Sequence, residues 1–427
     1  MAKPEQAGMW LQQRFLRNPY RVHGLLFIIF IAQGFIYCSP PEIAQGIMRI
    51  LLSPDILVVD YIAVGGLGAA LVNVGLVGLL SISVFLAAKR EPNGLTMGTL
   101  GLTTGFAFFG KNPFNMLPII FGAYLYSVNC KKPFKEAVFP ALLGTCLAPT
   151  VSTLATLYLL PVAPAIIIGV LIGVGIGFLM PPLAAAMVKT HEGTNLYNVG
   201  FTAGLIGLCL YALFLLLGLD FPLLAIWSSG NNLELGLCLA ILSLYLIICG
   251  VLGSRQRLSL RKIVFIDAND NDFFLAHFEQ AYINMGILGL TCLLIMIVVG
   301  GEFSGPVLGS IVSVVGFGAY GKSLPSSLPI IAGCLIASLA SMATLGTPFN
   351  SRGFLVATFF STCLSPLAKR FGVRWGLLAG FLHLTLAANV ATFHGGMNLY
   401  NNGFAGGLTA MMLLPIMKFL KSNENPQ

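Results

Sequence analysis

Uninterrupted apolar runs, such as residues 67–88, 165–188 and 234–253, recur along the whole chain. Each is long enough to cross the roughly 30 Å hydrocarbon core of a bilayer as one helix. None alternates in the way that a strand of a membrane β-barrel does. Only 9% of the 427 residues are charged, whereas about a quarter are charged in a soluble domain. The sequence therefore predicts an all-α polytopic integral membrane protein with roughly ten to twelve transmembrane spans.

The formal net charge of +8 comes mainly from Lys and Arg in short loops between the apolar runs. This pattern is typical of the positive-inside rule and not of a nucleic-acid-binding surface. We expect a multi-pass protein of the cell membrane with both termini in the cytoplasm, the lipid bilayer as a partner and no nucleic acid. The nine cysteines form no C-x-x-C motif, so neither a metal nor a cofactor is expected.

Polar segments divide the chain into five parts. We expect an amphipathic cytoplasmic segment first, a first membrane repeat with an extra span, a cytoplasmic linker, a second membrane repeat and a disordered tail. In that order they cover residues 1–21, 22–253, 254–280, 281–420 and 421–427.

Two halves are predicted because one motif occurs twice. Residues 191–205 and 394–408 share ten identities without a gap, including His, the run Asn-Leu-Tyr-Asn and Gly-Phe. The apolar residues around the motif have diverged, so the polar residues are candidates for a duplicated site. The corresponding residues are His191, Asn195, Tyr197 and Asn198, and His394, Asn398, Tyr400 and Asn401.

The same motif also allows a purely structural interpretation. An Asn at the start of a helix can cap it, and glycines four residues apart let two helices approach closely. We therefore predict helix packing at Gly200, Gly204, Gly403 and Gly407.

A second candidate site is the element Pro-Phe-Asn, which occurs at residues 113–115 and 348–350. The apolar runs 95–109 and 116–128 are each about half a bilayer long and flank Asn112 and the first element. They indicate a re-entrant hairpin or two short tilted spans. Loop charges suggest parallel repeats at one motif and inverted repeats at the other, and we favour inverted repeats because transporters use them more often.

The acidic residues bear on the class of solute. None of the fifteen Asp and Glu lies in the middle of a clear span, although Asp55 and Asp60 fall in an irregular segment. Coupled carriers generally need an intramembrane carboxylate, so this pattern favours a neutral solute. Lys111 and Arg352, each two residues from a Pro-Phe-Asn element, favour an anion instead.

The doubled motifs resemble the bacterial integral-membrane family catalogued as domain of unknown function 1576. More remotely, the chain is similar in style to the urea transporters, whose signature also contains Pro-Phe in each half. This resemblance implies a slot for a small planar solute, walled by Phe114 and Phe349. The chain departs from that signature at Lys111 and Gly346, which stand where the urea transporters have Thr.

Together these patterns predict a channel or transporter for a small polar, neutral, urea-like solute that passes between the two repeats. Candidate solute-binding side chains from the second element are Asn112, Phe114, Asn115, Phe349 and Asn350. The alternatives are a membrane scaffold or assembly protein and a coupled carrier of small anions. No enzyme is expected, since no nucleophile elbow, Walker motif or HExxH occurs. A homo-oligomer is possible.

Overall fold

The computed structural model describes residues 14–157, 159–254 and 272–424, with side chains to residue 420. The predicted N-terminal segment, most of the linker and the tail lie outside these residues. All extended regular structure within them is helical. The helices are α1 (Pro19–Tyr37), α2 (Pro40–Leu51), α3 (Tyr61–Gly65), α4 (Leu67–Ala87), α5 (Gly94–Phe106), α6 (Pro113–Asn129), α7 (Val138–Gly144), α8 (Ala148–Ala155), α9 (Val162–Met187), α10 (Asn198–Leu216), α11 (Asn232–Gly253), α12 (Phe273–Ala276), α13 (Phe278–Val298), α14 (Gly305–Phe317), α15 (Leu324–Leu345), α16 (Arg352–Phe360), α17 (Ser365–Phe371), α18 (Val373–Ala387) and α19 (Asn401–Glu424).

The prediction of a helical polytopic membrane protein is confirmed. Within the described ranges, nine helical segments are long and apolar enough to cross a membrane, counting α7 and α8 as one. The predicted number of spans was higher because several apolar runs are broken. The run 353–368 is interrupted by the 3-10 turn Ser361–Leu364 between α16 and α17, and α18 ends at Ala387 rather than near residue 392.

The distribution of polarity is that of a protein surrounded by lipid. Helix α9 exposes large apolar side chains, and Leu171, for example, is 63% exposed. Many polar side chains, by contrast, are completely buried, among them Asn73, Lys111, Lys322 and Asn398. Because a buried polar group must find partners inside the protein, the polar interior holds the candidates for function.

The two short helices α5 and α14 run antiparallel in the interior with their backbones in contact. A Cβ atom added to Gly105 would lie 2.3 Å from the Gly309 carbonyl oxygen, and one added to Gly94 would lie 2.4 Å from that of Ala319. Glycine is needed at these points because any side chain would separate the helices.

Helices α10 and α19 also cross antiparallel, overlapping at their first turns. A Cβ atom at Gly200 would lie 3.0 Å from the Gly403 Cα, and the ring of Phe404 covers Gly204. The predicted packing glycines thus lie at this crossing. Gly407 occupies the matching position against Phe201.

The helices of the two halves follow one another in the same order along the chain. They also pack against one another in corresponding pairs. Four helices, α6 to α9, connect Lys111 to His191, and four, α15 to α18, connect Lys322 to His394. The extra span in the first half is predicted from pairing Pro113 with Pro348, and it stays a prediction. With Lys111 paired with Lys322, no helix is surplus between these points in the described chain.

Candidate functional site between the two halves

Two unwound turns lie at the centre of the molecule, one after each short helix. Gly110 precedes Lys111 with φ +83°, and Gly321 precedes Lys322 with φ +79°. Only glycine adopts such angles without strain, so both turns can reverse sharply. The next helix then begins at a side-chain cap, formed by Asn112 and Asn115 before α6 and by Ser323 and Ser326 before α15.

Each turn is held by the amide of an asparagine on the preceding long helix. Asn73 donates to the carbonyl oxygens of Ala107 at 2.8 Å and Lys111 at 2.9 Å. Asn284 donates to those of Gly318 at 2.7 Å and Lys322 at 2.8 Å. Because an unwound turn leaves carbonyls without helical partners, these amides stabilise the break inside the protein.

The two lysine side chains are buried, with 1% of Lys111 and none of Lys322 exposed. The Lys322 ammonium donates to the Tyr197 hydroxyl at 2.7 Å. No residue in the described ranges accepts a hydrogen bond from Lys111, whose ammonium lies 5.2 Å from the centre of the Phe106 ring. Neither lysine forms an ion pair with a described carboxylate.

Each Asn-Leu-Tyr-Asn segment packs on the turn of the opposite half. The Leu196 amide donates to the Cys363 carbonyl and the Leu399 amide donates to that of Cys146, both at 2.9 Å. The Leu399 side chain covers Gly110, and that of Leu196 covers Gly321. The duplicated motif therefore joins the two halves.

The two motif tyrosines meet between the turns. The rings of Tyr197 and Tyr400 have their centres 5.0 Å apart. Phe317 contacts Tyr197 edge to face at 5.1 Å, and Phe106 contacts Tyr400 in the same way at 5.1 Å. This aromatic layer, closed by Phe360 against both Phe106 and Tyr197, separates the two lysine turns.

The asparagines of the motif have mainly structural partners. The side-chain oxygens of Asn195 and Asn398 accept from the amides of Tyr197 and Tyr400, at 3.0 and 2.9 Å. The Asn195 amide nitrogen donates to the Gly403 carbonyl at 3.3 Å. That of Asn398 is buried without a partner among the described residues.

The histidines of the motif orient the second asparagine. His191 Nε2 lies 3.0 Å from the Asn198 side-chain oxygen, and His394 Nδ1 lies 2.8 Å from that of Asn401. His394 also contacts the Gly204 carbonyl of the opposite helix at 3.0 Å. His191 and His394 therefore hold the second asparagine of each motif in one orientation.

The two Pro-Phe-Asn elements do not share an environment. Pro113 opens α6, and the Asn115 amide reaches Asp55, Gly110 and Ser152. The second element lies in the turn between α15 and α16, where the Asn350 amide donates to the Val299 and Gly300 carbonyls at 3.0 Å each. The structure thus does not bring Phe114 and Phe349 into equivalent positions.

Arg352 lies away from the lysine turns. Its guanidinium donates to the Ser228 carbonyl at 2.6 Å and pairs with Glu302 at 3.6 Å. Of the two basic residues that suggested an anion, only Lys111 is in the interior.

Two carboxylates are fully buried, contrary to the pattern that favoured a neutral solute. Asp55 accepts hydrogen bonds from Asn115 at 3.1 Å and Asn112 at 3.5 Å, and its second oxygen has no partner in the described chain. Asp60 accepts from the backbone and hydroxyl of Ser228 at 3.0 and 2.6 Å. An interior carboxylate therefore exists beside the first turn.

Asp60 and Asp272 each cap the short helix of the other half. Asp60 accepts from the amide of Gly305, the first residue of α14, at 3.0 Å. Asp272 accepts from the amide of Gly94, the first residue of α5, at 2.8 Å. A carboxylate at a helix N-terminus is favourable for both charge and hydrogen bonding, so these contacts tie the halves together reciprocally.

A cavity of about 460 Å³ leads toward one side of this layer. Its lining includes the exposed Lys132 and Glu136, the buried Asn195, and the half-buried Leu196 and Tyr320. Because Leu196 covers Gly321, the inner end of the cavity is next to the Lys322 turn.

The opposite side is covered. The His394 turn packs against an extended segment, since the Leu57 amide donates to the Gly396 carbonyl at 2.9 Å and a Cβ atom at Gly396 would lie 2.6 Å from Ile56. Gly193, the matching residue of the first motif, lines the cavity, and an added Cβ would meet nothing within 4 Å. One motif turn is open and its counterpart is closed.

The sequence interpretation missed Lys322 and Asn284, and it named Asn73 only as the start of a fainter Asn-Val-Gly-Leu version of the motif. Two signals could have found them. The pattern Asn-x-Gly-x-x-Gly-Leu begins at Asn73 and again at Asn284, and an aromatic-Gly-Lys triplet ends at Lys111 and again at Lys322. Both pairs are 211 positions apart.

A family described as "Protein of unknown function (DUF1576)" matches residues 39–216 and 259–419, which include both turns and both motifs. The chain belongs to this family. No curated protein and no solved structure matches it. The structural assignments for this DUF1576 protein therefore rest on its own geometry.

Proposed function

We propose that this DUF1576 protein transports a small polar solute across a membrane, along a path between two halves related as inverted repeats. Inverted repeats require antiparallel partners at the interface, and α5 with α14 and α10 with α19 have that arrangement. The 211-residue spacing of Asn73 from Asn284 and of Lys111 from Lys322 supports the relation. We infer that α11 belongs to the second half, since it packs on α13 as α1 packs on α4.

The observation that carries the proposal is the position of the polar residues. Two unwound turns with buried lysines meet two polar motifs in the interior of a chain whose outer surface is apolar. Transporters commonly bind their solute at broken helices near the middle of the membrane, where backbone groups are released from helical hydrogen bonding. Helix packing alone needs neither the breaks nor the lysines.

The proposed path enters by the cavity and reaches the Lys322 turn past Leu196. The contact between Tyr197 and Tyr400 would then be the central barrier. Beyond it, the path would continue along Phe106 and Lys111 toward the side that residues 56–60 cover. A conformation open on one side and closed on the other is what alternating access requires.

The rival function, a membrane scaffold without transport, would use the same contacts only for packing. We propose no catalytic role, and we place the protein in the cell membrane with cytoplasmic termini on the basis of its loop charges.

Flux into proteoliposomes tests transport. The double variant Tyr197→Ala with Tyr400→Ala removes the ring contact, and we expect it to raise solute flux and to admit larger solutes. Tyr124→Ala is the matched control, because Tyr124 is 46% exposed on the outer surface. Swelling is followed by light scattering with urea, amides, polyols and salts of small anions. Swelling equal to that of empty liposomes for the wild type and the double variant alike would leave the scaffold function.

A further inference from the structure

The buried carboxylate of Asp55 has no cation to balance it. None of its side chain is exposed, and no ion pair between described residues includes it. Its donors, Asn112 and Asn115, are neutral amides at the start of α6, and its Oδ1 has no partner in the described ranges. Burying an unpaired charge costs far more than burying a neutral polar group. The carboxylate therefore needs a positive partner from outside this part of the chain.

Neutral oxygen atoms lie around this carboxylate. The Asn115 amide nitrogen is 3.1 Å from the carboxylate oxygen Oδ2 and 3.0 Å from the Ser152 hydroxyl. It is also 3.2 Å from the carbonyl of Gly110, which lies in the unwound turn. An amide nitrogen has two hydrogens, so it cannot serve these three oxygens at once. The Tyr61 hydroxyl is 3.2 Å from the Asn112 amide nitrogen, the second donor to the carboxylate.

The second half carries a lysine at the position that corresponds to Ser152. The sequence Thr-Cys-Leu-x-Pro occurs at residues 145–149 and 362–366, and three residues later stand Ser152 in one copy and Lys369 in the other. The cysteine carbonyl of each copy accepts a hydrogen bond from the Asn-Leu-Tyr-Asn segment of the opposite half. The two copies are thus in equivalent places, and only the second brings a positive charge.

Tyr61 also has a counterpart, Phe273, and each follows the aspartate that caps the short helix of the other half. The Tyr61 amide donates to the Phe108 carbonyl at 3.0 Å. The Phe273 amide donates to that of Ala319 at 3.1 Å, and Ala319 lies 211 positions after Phe108. The Lys369 ammonium lies 5.1 Å from the centre of the Phe273 ring. In the first half, the shorter serine leaves the corresponding place without an ammonium group.

We propose that Asp55 binds a sodium ion together with the Ser152 hydroxyl and the Gly110 carbonyl. Hard cations prefer oxygen ligands, and the unwound helices of transporters supply carbonyls for sodium. The ion takes over acceptors that the Asn115 amide cannot all serve. One carboxylate matches one positive charge, whereas a divalent ion would leave a net charge in the interior. Coupling of sodium to solute movement rests on the proposed transport function, but sodium binding does not.

Thermal unfolding of the full chain in detergent tests binding directly. Midpoints are compared in sodium, potassium and choline chloride at equal ionic strength and one neutral pH. A ligand that binds the native state stabilises it, so sodium at roughly 10–100 times its dissociation constant should raise the midpoint by about 1–3 °C over choline. Asp55→Asn keeps the size of the side chain but removes its charge, and it should abolish the rise. Asp220→Asn removes an exposed carboxylate and should keep it.

A second variant covers the case in which Asp55→Asn does not fold. Ser152→Ala removes one oxygen ligand and leaves the carboxylate in place. The sodium concentration that gives half of the rise should increase about tenfold, which corresponds to about 1.4 kcal/mol. Ser243→Ala is its control, because Ser243 is a buried serine of α11 whose hydroxyl has no partner among the described residues. It should leave that concentration unchanged.

The outcomes separate this site from transport. A wild-type midpoint no higher in sodium than in potassium or choline would overturn the sodium site whatever the flux shows, and a midpoint that follows pH alone would assign the carboxylate to a proton instead. A sodium response that Asp55→Asn and Ser152→Ala leave unchanged would also overturn it. A sodium response lost in Asp55→Asn, without flux of any solute, would support the site and reject transport. Solute flux without any sodium response would leave transport and reject the site.

Discussion

Lys322 donates a hydrogen bond to the hydroxyl of Tyr197 in the opposite half across 2.7 Å. The equivalent lysine, Lys111, has no such bond to Tyr400 in the described structure, although Phe106 places the Tyr400 ring in the same relation to its turn. The two sides of the aromatic layer are thus built alike and bonded differently. A transporter in one of two exchanging conformations would show this difference.

The Tyr197 hydroxyl should contribute more to stability than that of Tyr400. Tyr197→Phe leaves the Lys322 ammonium without an acceptor, and a bond to a charged group is worth about 1.5–3 kcal/mol. Tyr400→Phe is the matched control. Unfolding can be followed with a thiol-reactive fluorophore, since Cys146, Cys292 and Cys363 are buried. Equal losses in the two variants would contradict the bonding described here.

The helix caps formed by Asp60 and Asp272 should contribute different amounts to the stability of the fold. Asp60→Ala leaves the buried amides of Ile62, Ser228 and Gly305 without acceptors, and each costs about 1–3 kcal/mol. Asp272→Ala removes a half-buried cap, which costs about 1 kcal/mol. Thermal unfolding in the same detergent compares them. A loss from Asp60→Ala no larger than from Asp272→Ala would refute the buried network.

Close approach of α10 and α19 makes Gly200 intolerant of a side chain. A Cβ atom there would lie 2.7 Å from the Tyr400 ring, so Gly200→Ala should cost about 1–3 kcal/mol. Gly175→Ala is the control, since an added Cβ on this exposed helical residue meets nothing within 4 Å. It should be neutral or stabilising by up to about 1 kcal/mol. Similar unfolding midpoints for both variants would argue against the crossing.

The exposed carboxylate of Glu192 should give stability a mild dependence on pH. Its hydrogen bond from Lys418, with Arg370 3.5 Å away, lowers its pKa below the ordinary value of 4.5. A lowered carboxyl pKa stabilises the folded state above the unfolded pKa, and this contribution disappears as the pH falls through the folded value. The unfolding midpoint should therefore drop below about pH 4.5.

The matched variant for this pH effect is Glu192→Gln, which cannot ionise. Its midpoint should fall less steeply over the same acidic range, and high salt should reduce the difference because the pair is exposed. Parallel pH profiles for wild type and variant would rule out a role for this pair.

The membrane class and the broken helices were predictable from the sequence, because run length and composition directly report what lipid accepts. The short runs 95–109 and 116–128 correspond to α5 and α6. Pairing the halves was harder. Identity between residues 113–115 and 348–350 suggested a match, yet at the 211-residue spacing Gly-Lys and the run Leu-Pro-Ile-Ile at 117–120 and 328–331 are retained, whereas Pro-Phe-Asn is not.

Contacts between the halves could not be inferred from either half alone. Asp60 and Gly305 are 245 positions apart, and no local pattern links a cap to a helix in another part of the chain. Nor could the burial of Asp55 be read from an irregular segment, since burial depends on what packs over it.

The reciprocal caps from Asp60 and Asp272 make the two halves depend on each other. Each half gives its carboxylate to the other and receives one in return, so a single half has an unmatched donor and an unmatched acceptor. Each short helix therefore keeps its N-terminal carboxylate only while both halves are present and packed together.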